Sequence, residues 1–118
     1  METREIAERF SSGQFDSVYD HLADDVEWDV IADFKVRGRS AVIEKCGQIA
    51  SYFASVTTNF RTLNTIVDGS RVAINGTAKL IKDGEVVSSV SSCDVYEFNN
   101  DGRLARITSY CITDKRGE

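Results

Sequence analysis

Apolar residues recur at helical spacing in three stretches of the chain. In the first, between Thr3 and Ser11, the apolar positions are 6, 7 and 10, and a glycine follows at residue 13, where a helix commonly ends. The second runs from Phe15 to Leu22, with Asp16 in position to cap it. The third follows Ser40, another capping residue, with apolar positions at 43, 46, 49, 50 and 53. The pattern predicts three helices.

The spacing of apolar residues changes to two at residues 26–31, which predicts a first strand. Further alternating stretches cover 60–67, 71–82 and 85–98, and Asp-Gly pairs at 68–69 and 83–84 separate them as hairpin turns. The last hairpin spans 88–114 and turns at Asn99 to Gly102. The order helix, helix, strand, helix and four antiparallel strands predicts an α+β fold with the helices on one face of a curved sheet.

One acidic residue lies on an apolar strand face. Residues two apart in a strand share a face, so Asp94 is on the same side as Val90, Tyr96 and Phe98. Burial raises the pKa of a carboxyl group, so Asp94 could remain a hydrogen-bond donor near neutral pH. The alternative is a structural role, in which Asp94 bonds a serine of the 88–92 stretch or Thr108.

Composition narrows the classes of function. A chain of 118 residues is expected to form one domain, residues 1–118, with its own core. A net charge of −5 disfavours nucleic acid and anionic membranes as partners. No apolar run approaches the length of a membrane span and the amino terminus is charged, so a cytoplasmic location is expected. Three widely spaced cysteines and a single histidine indicate neither a disulfide framework nor a zinc site, and the thiols are predicted to be buried.

The stretches 13–26, 36–42 and 94–104 together resemble the NTF2-like superfamily, in particular its SnoaL-like and ketosteroid isomerase-like branch. The third of them contains Asp-Val-Tyr-Glu-Phe-Asn and Asp-Gly-Arg-Leu. The resemblance implies a cone-shaped (cystatin-like) fold, with three helices packed on a curved, mainly antiparallel sheet around an apolar pocket. It also implies a small apolar ligand, no cofactor and a homodimer formed through the outer face of the sheet.

The resemblance further implies two catalytic carboxyl groups. Counting back from Gly38 without a gap places Asp29 at the position of the general base, whereas counting forward from Asp24 places Val30 there. Asp94 matches the aspartate that such isomerases keep protonated.

The tyrosine that completes the oxyanion hole in such isomerases is replaced by Ile6, so Tyr96 or Tyr110 would have to supply that donor. The expected substrate-binding residues are the aromatic ones that a pocket of this kind would use: Tyr19, Trp28, Tyr52, Phe53, Tyr96, Phe98 and Tyr110.

Three functions remain open on the sequence. The first is a cofactor-free acid–base enzyme that isomerises, cyclises or dehydrates a small apolar carbonyl compound. The second is a non-catalytic module that binds a ligand or dimerises, for which an outer apolar patch of Val95, Ala105, Ile107 and Cys111 is expected. The third resembles limonene epoxide hydrolase and requires Arg61 or Arg106 to meet a carboxylate.

Overall fold

A computed structural model describes residues 1–114 of the chain. It contains two α-helices, one 3₁₀ helix and six strands. In chain order these are α1 (Thr3–Ser11), the 3₁₀ helix η1 (Phe15–His21), β1 (Leu22–Val30), β2 (Phe34–Arg37), α2 (Arg39–Ala54), β3 (Thr57–Asp68), β4 (Arg71–Lys82), β5 (Glu85–Phe98) and β6 (Leu104–Thr113).

The six strands form a single sheet in the order β2-β1-β6-β5-β4-β3. Every neighbouring pair is antiparallel except β1 and β6, which run parallel. The three helices pack on one face of this sheet, as the sequence predicted, so the α+β cone is confirmed. Parallel neighbours need a long connection, and here β2, α2 and the strands β3–β5 separate β1 from β6 along the chain.

The core lies between the helices and the concave face of the sheet. It is rich in aromatic residues: the ring of Phe10 meets the rings of Phe15 and Trp28 edge to face, with centroids 4.9 Å apart in both pairs. Tyr96 and Ile107 are fully buried beneath them. These contacts fix α1 against β1, β5 and β6.

The boundary of α1 agrees with the prediction, while the expected side-chain caps are not formed. Gln14 precedes η1 and Gly38 precedes α2, and neither makes a side-chain capping bond, so Asp16 and Ser40 do not cap these helices.

The sequence also missed β2, which is only four residues long and pairs with β1 at the edge of the sheet. An ion pair of 2.7 Å between Lys35 Nζ and a carboxylate oxygen of Glu27 joins the two strands.

The two turns of the β4–β5 and β5–β6 hairpins are as predicted. Asp83 and Gly84 both have positive φ, at 53° and 79°, which is the backbone of a two-residue hairpin loop. In the second turn the side-chain oxygen of Asn99 accepts hydrogen bonds from the backbone N–H groups of Asp101 and Arg103, each at 3.0 Å. The Asn99 side chain thus stabilises the turn through local hydrogen bonds.

One extra residue in β6 overturns the predicted facing of that strand. Glu97 pairs with Arg106 and Phe98 pairs with Leu104, which leaves Ala105 as a β-bulge without a partner. Strict alternation from Leu104 is therefore broken, and the residues after the bulge exchange faces.

The bulge corrects three expectations. Ile107 is fully buried and Cys111 borders the concave side, so neither belongs to an outer apolar patch with Val95 and Ala105. Tyr110 points outward and is 47% exposed, although it was expected to face inward with Leu104.

The three thiols differ in burial, whereas all were predicted to be buried. Cys46 is buried, Cys93 is half-buried and Cys111 is exposed, and none forms a disulfide.

In the described part of the chain, no helix has the length and apolar character required to cross a membrane. Between residues 1 and 114, no cluster of three or more His, Cys, Asp or Glu side chains is arranged to hold a metal ion.

Candidate functional site

A cavity of about 270 Å³ lies between the helices and the concave face of the sheet. Its walls are mostly apolar and aromatic, with rings from α1, η1, β1, α2 and β3. Small residues on β4, Gly76 and Ala78, leave the space open on the sheet side. The few polar side chains on its wall include Ser11, Asp94 and Ser109. The cavity is thus a largely apolar chamber, and Ser11, Asp94 and Ser109 form its polar end.

Asp94 is the acidic residue at the polar end of this cavity, and it is only 8% exposed. The hydroxyl of Ser11, at the end of α1, donates a hydrogen bond of 2.8 Å to Asp94 Oδ2. Ser109 lies directly opposite on β6 and also bonds the carboxyl group. The hydroxyl of Tyr96 contacts Ser11 Oγ at 2.5 Å and bonds Asp94 as well. Residues from α1, β5 and β6 therefore converge on one carboxyl group.

Burial raises the pKa of Asp94 above its ordinary value, and the hydrogen bonds from Ser109, Ser11 and Tyr96 offset only part of that effect. The result is a carboxyl group that holds its proton more tightly than an exposed aspartate does. The same burial, together with the negative charge of Asp94, raises the pKa of Tyr96 well above its ordinary value. Tyr96 is therefore a neutral hydroxyl across the physiological pH range.

The thiol of Cys111 stands at the border of the cavity. Desolvation, followed by the charges of Asp94 and Asp33, raises its pKa to about 11. Because the thiolate is the reactive form of cysteine, Cys111 is not poised as a nucleophile.

The cavity brings together some of the residues predicted from the sequence. Asp94, Trp28 and Phe53 line it, and Tyr96 lies directly behind Asp94. The remaining predicted aromatic residues are elsewhere: Phe98 is in the core, Tyr19 is half-buried against the core, and Tyr52 and Tyr110 are exposed.

Asp29 does not line the cavity. Its neighbours Trp28 and Val30 do, so alternation directs Asp29 to the other face of β1, where it pairs with Lys35 and Thr108. The structure therefore does not bring Asp29 and Asp94 together. The second carboxylate at the cavity is Asp33, an exposed residue of the turn between β1 and β2.

Neither arginine considered from the sequence meets Asp94. Arg106 is on the outer face, 3.9 Å from a carboxylate oxygen of Glu27. Arg61 borders the cavity, but among residues 1–114 no hydrogen bond or ion pair joins it to Asp33 or Asp94. Alternation along β3 places the Arg61 side chain opposite to that of Phe60, which lines the cavity.

Three site residues were not singled out from the sequence. Ser11 ends a helix and Ser109 follows a bulge, so no local pattern marks either of them as facing a cavity. Asp33 lies in a turn, where the spacing of apolar residues does not predict which way a side chain points. The one available signal was the position of Asp94 on an apolar strand face, since a buried carboxyl group needs polar neighbours.

Comparison with known proteins places this geometry in context. The model of the SnoaL-like domain family matches residues 3–107. An NTF2-like protein of unknown function from Cytophaga hutchinsonii is 35% identical, with a TM-score of 0.83, and the match covers 95% of this chain and 99% of that one. No sequence among curated proteins matches the chain.

Two further solved structures share the fold at low identity. An LEH-like epoxide hydrolase from M. tuberculosis is 20% identical with a TM-score of 0.67, over 92% of this chain and 80% of that one. A provisionally named ketosteroid isomerase from Kribbella flavida is 16% identical with a TM-score of 0.74, over 98% of this chain and 82% of that one. On the family match and the cone-shaped fold, the chain belongs to the SnoaL-like domain family of the NTF2-like superfamily.

Proposed function

We propose that this protein is an acid–base enzyme that binds a small, largely apolar carbonyl compound in its cavity and moves a proton next to the carbonyl group. The reaction class is isomerisation, cyclisation or dehydration, all of which pass through an enol or enolate. The location of Asp94 carries the proposal, because it is a buried carboxyl group with a raised pKa at the polar end of an apolar cavity.

Asp94 is assigned the role of acid. A carboxyl group that keeps its proton in an apolar site can donate a hydrogen bond to the substrate's carbonyl oxygen, and it stabilises the negative charge that develops there when a neighbouring C–H bond is broken. Aromatic side chains such as Trp28 and Phe53 would hold the apolar part of the substrate.

Asp33 is assigned the role of base in place of Asp29. A base must lie within reach of the proton that it removes. Asp33 lines the same cavity as Asp94, whereas Asp29 lies on the other face of β1. Its exposed position at the cavity border suits a group that has to exchange its proton with water after each turnover.

Exchange of carbon-bound hydrogen for deuterium tests this assignment without knowledge of the natural substrate. A compact bicyclic ketone, 1-indanone, is incubated with the protein in D₂O, and loss of the hydrogens next to the carbonyl is followed by proton NMR. Asp94→Asn and Asp33→Asn are each expected to slow the catalysed exchange by roughly 100-fold. Asp24→Asn, an exposed aspartate of β1, serves as the control.

The Asp29→Asn variant separates the geometric assignment from the one made by alignment. We expect its exchange rate to equal that of the wild-type protein. A large loss in Asp29→Asn with none in Asp33→Asn would overturn the role of Asp33. Binding of ketones without any catalysed exchange would favour a non-catalytic ligand-binding module, and hydrolysis of an epoxide would favour the third candidate function.

The outer face of the sheet is proposed to pair with a second copy of the chain. Tyr110 and Ile112 on β6 are 47% and 69% exposed there, next to Val95 on β5. Sedimentation of the wild-type protein and of Ile112→Lys tests this, because a charge at the centre of an apolar interface is expected to give monomers.

A further inference from the structure

Ser109, Ser11 and Tyr96 bond Asp94, and Trp28 bonds Ser109 from behind. Trp28 Nε1 donates a hydrogen bond of 3.0 Å to Ser109 Oγ, and both residues are buried. An indole N–H can only donate. Ser109 Oγ is therefore an acceptor in that bond, and its own hydrogen needs another partner.

Among the described residues, Asp94 is the partner available to the Ser109 hydrogen. The two residues pair directly across β5 and β6, and the Ser109 hydroxyl bonds the carboxyl group. If Ser109 accepted a hydrogen bond from Asp94 instead, its own hydrogen would be buried without a partner, which is costly. The bonds from Trp28 to Ser109 and from Ser109 to Asp94 thus run in one direction only.

The other side of Asp94 has no such restriction. The hydroxyls of Ser11 and Tyr96 can each donate or accept, and they contact one another as well as Asp94. With Asp94 ionised, Tyr96 donates to Ser11 and Ser11 donates to Asp94. With Asp94 protonated, the carboxyl group donates to Ser11, Ser11 donates to Tyr96, and Tyr96 donates to the other carboxyl oxygen. Every group is paired in both states.

We propose that Trp28 and Ser109 form a one-way donor arm and that Ser11 and Tyr96 form a reversible arm, which together let Asp94 gain and lose a proton without leaving a buried polar group unpaired. The four residues are positioning residues for Asp94. Their catalytic meaning rests on the proposed function, while the hydrogen-bond arrangement itself does not.

The two arms have different consequences for the acidity of Asp94. The one-way arm supplies a donor that favours the carboxylate, so its loss makes Asp94 a weaker acid. The reversible arm serves both protonation states, so its loss has a smaller net effect. The other titratable groups that line the cavity with Asp94 are Cys111, Asp33 and Arg61. Cys111 is a neutral thiol below pH 9, and Asp33 is present in every variant compared.

The test is a ¹³C NMR titration of the aspartate carboxyl groups in the folded protein, with the Asp94 signal identified by its absence from Asp94→Asn. We expect Ser109→Ala to lower the ionisation constant of Asp94 by about tenfold or more, as for the loss of a hydrogen bond to a charged group. We expect Ser11→Ala to change it by less. Ser92→Ala is the matched control. Ser92 lies on β5, on the same face as Asp94, and its side chain makes no hydrogen bond to Asp94.

A double-mutant cycle tests whether Trp28 acts through Ser109. We expect Trp28→Phe to lower the ionisation constant of Asp94 in the wild-type background and to leave it unchanged in the Ser109→Ala background. If Trp28→Phe changed the ionisation constant of Asp94 equally in both backgrounds, the one-way arm would be overturned, because the change would then come from altered burial of Asp94 and not from Ser109. A larger effect of Ser11→Ala than of Ser109→Ala would overturn the division into two arms.

The titration and the ketone exchange assay fail independently. If the protein has no ketone exchange activity but the titration behaves as expected, the hydrogen-bond arrangement stands and the proposed reaction is wrong. If exchange is catalysed but the cycle is additive, the reaction stands and the arrangement is wrong. Urea unfolding of each variant confirms that the titrated species is folded.

Discussion

Replacing Ala78 with leucine should make the protein more stable and at the same time close its cavity. Ala78 lies on the concave face of β4, where it pairs with Phe60 on one side and Val90 on the other, and all three residues line the cavity. A larger side chain at this position would extend into the cavity, in space that no protein atom occupies. It would therefore bury new apolar surface without displacing another side chain.

The expected gain follows from the three added carbon atoms. At about 0.8 kcal/mol for each buried methylene, the upper bound is roughly 2.4 kcal/mol. The leucine loses about 0.5 to 1 kcal/mol of rotamer freedom on burial, which leaves a net gain of about 1.5 kcal/mol. For a domain of this length, this corresponds to a rise in Tm of about 6 °C.

Urea unfolding at 25 °C gives the change in stability, and NMR titration with 1-indanone gives the change in binding. Ala73→Leu is the matched control, because Ala73 is on the same strand but on the opposite face. It should change stability by less than about 0.5 kcal/mol and leave ketone binding intact. Destabilisation by Ala78→Leu would refute the conclusion that the cavity has room for the leucine, and unchanged ketone binding in that variant would refute the conclusion that the cavity is the ligand site.

Three further predictions concern single positions. Asp94→Asn should gain stability relative to the wild-type protein as the pH rises from 4 to 8 in urea titrations. The raised pKa means that Asp94 stabilises the fold below its unfolded pKa and that this contribution is lost as the pH rises through the folded pKa, so a variant that loses stability relative to the wild-type protein over this range would contradict the prediction. Gly13→Ala should cost about 1 to 2 kcal/mol of unfolding free energy, because the φ of Gly13 is 80° and a Cβ would lie 3.1 Å from the ring of Phe60. Deletion of Ala105 should cost only about 1 kcal/mol, since Ala105 is the extra residue and its removal leaves Leu104 and Arg106 as consecutive partners of Phe98 and Glu97 with the later residues of β6 on their present faces, and loss of folding would argue against the bulge.

The sequence predicted the elements whose signals are local. The apolar spacing of Thr3–Ser11 gave α1 its observed bounds, and the Asn99 turn has the residues that its backbone requires. Asp94 was recognised for the same reason, because alternation along β5 continues unbroken from Val90 to Phe98. In α1, the Asn99 turn and β5, a few neighbouring residues determine the local structure.

The remaining features depend on contacts between distant parts of the chain. The bulge at Ala105 is defined by the register of β6 against β5, and nothing in the sequence of β6 itself marks the extra residue. Asp33 reaches the cavity because β2 folds back on β1, a short pairing that alternation cannot reveal. Asp29 does not meet Asp94 because alternation along β1, with Trp28 and Val30 lining the cavity, directs Asp29 to the other face.

The parallel pairing of β1 with β6 also determines when the polar end of the cavity can form. Ser11 and Trp28 belong to the first quarter of the chain, whereas Asp94 and Ser109 belong to the last. During synthesis, a ribosome therefore releases almost the whole domain before these groups can meet, and until then the aromatic residues of α1 and β1 lack their partners on β5 and β6. Closure of so long a loop is slow compared with formation of the local hairpins. The hydroxyls that offset the cost of burying Asp94 therefore come from both ends of the domain, and the carboxyl group has all of them only once α1 and β6 have both packed against β5.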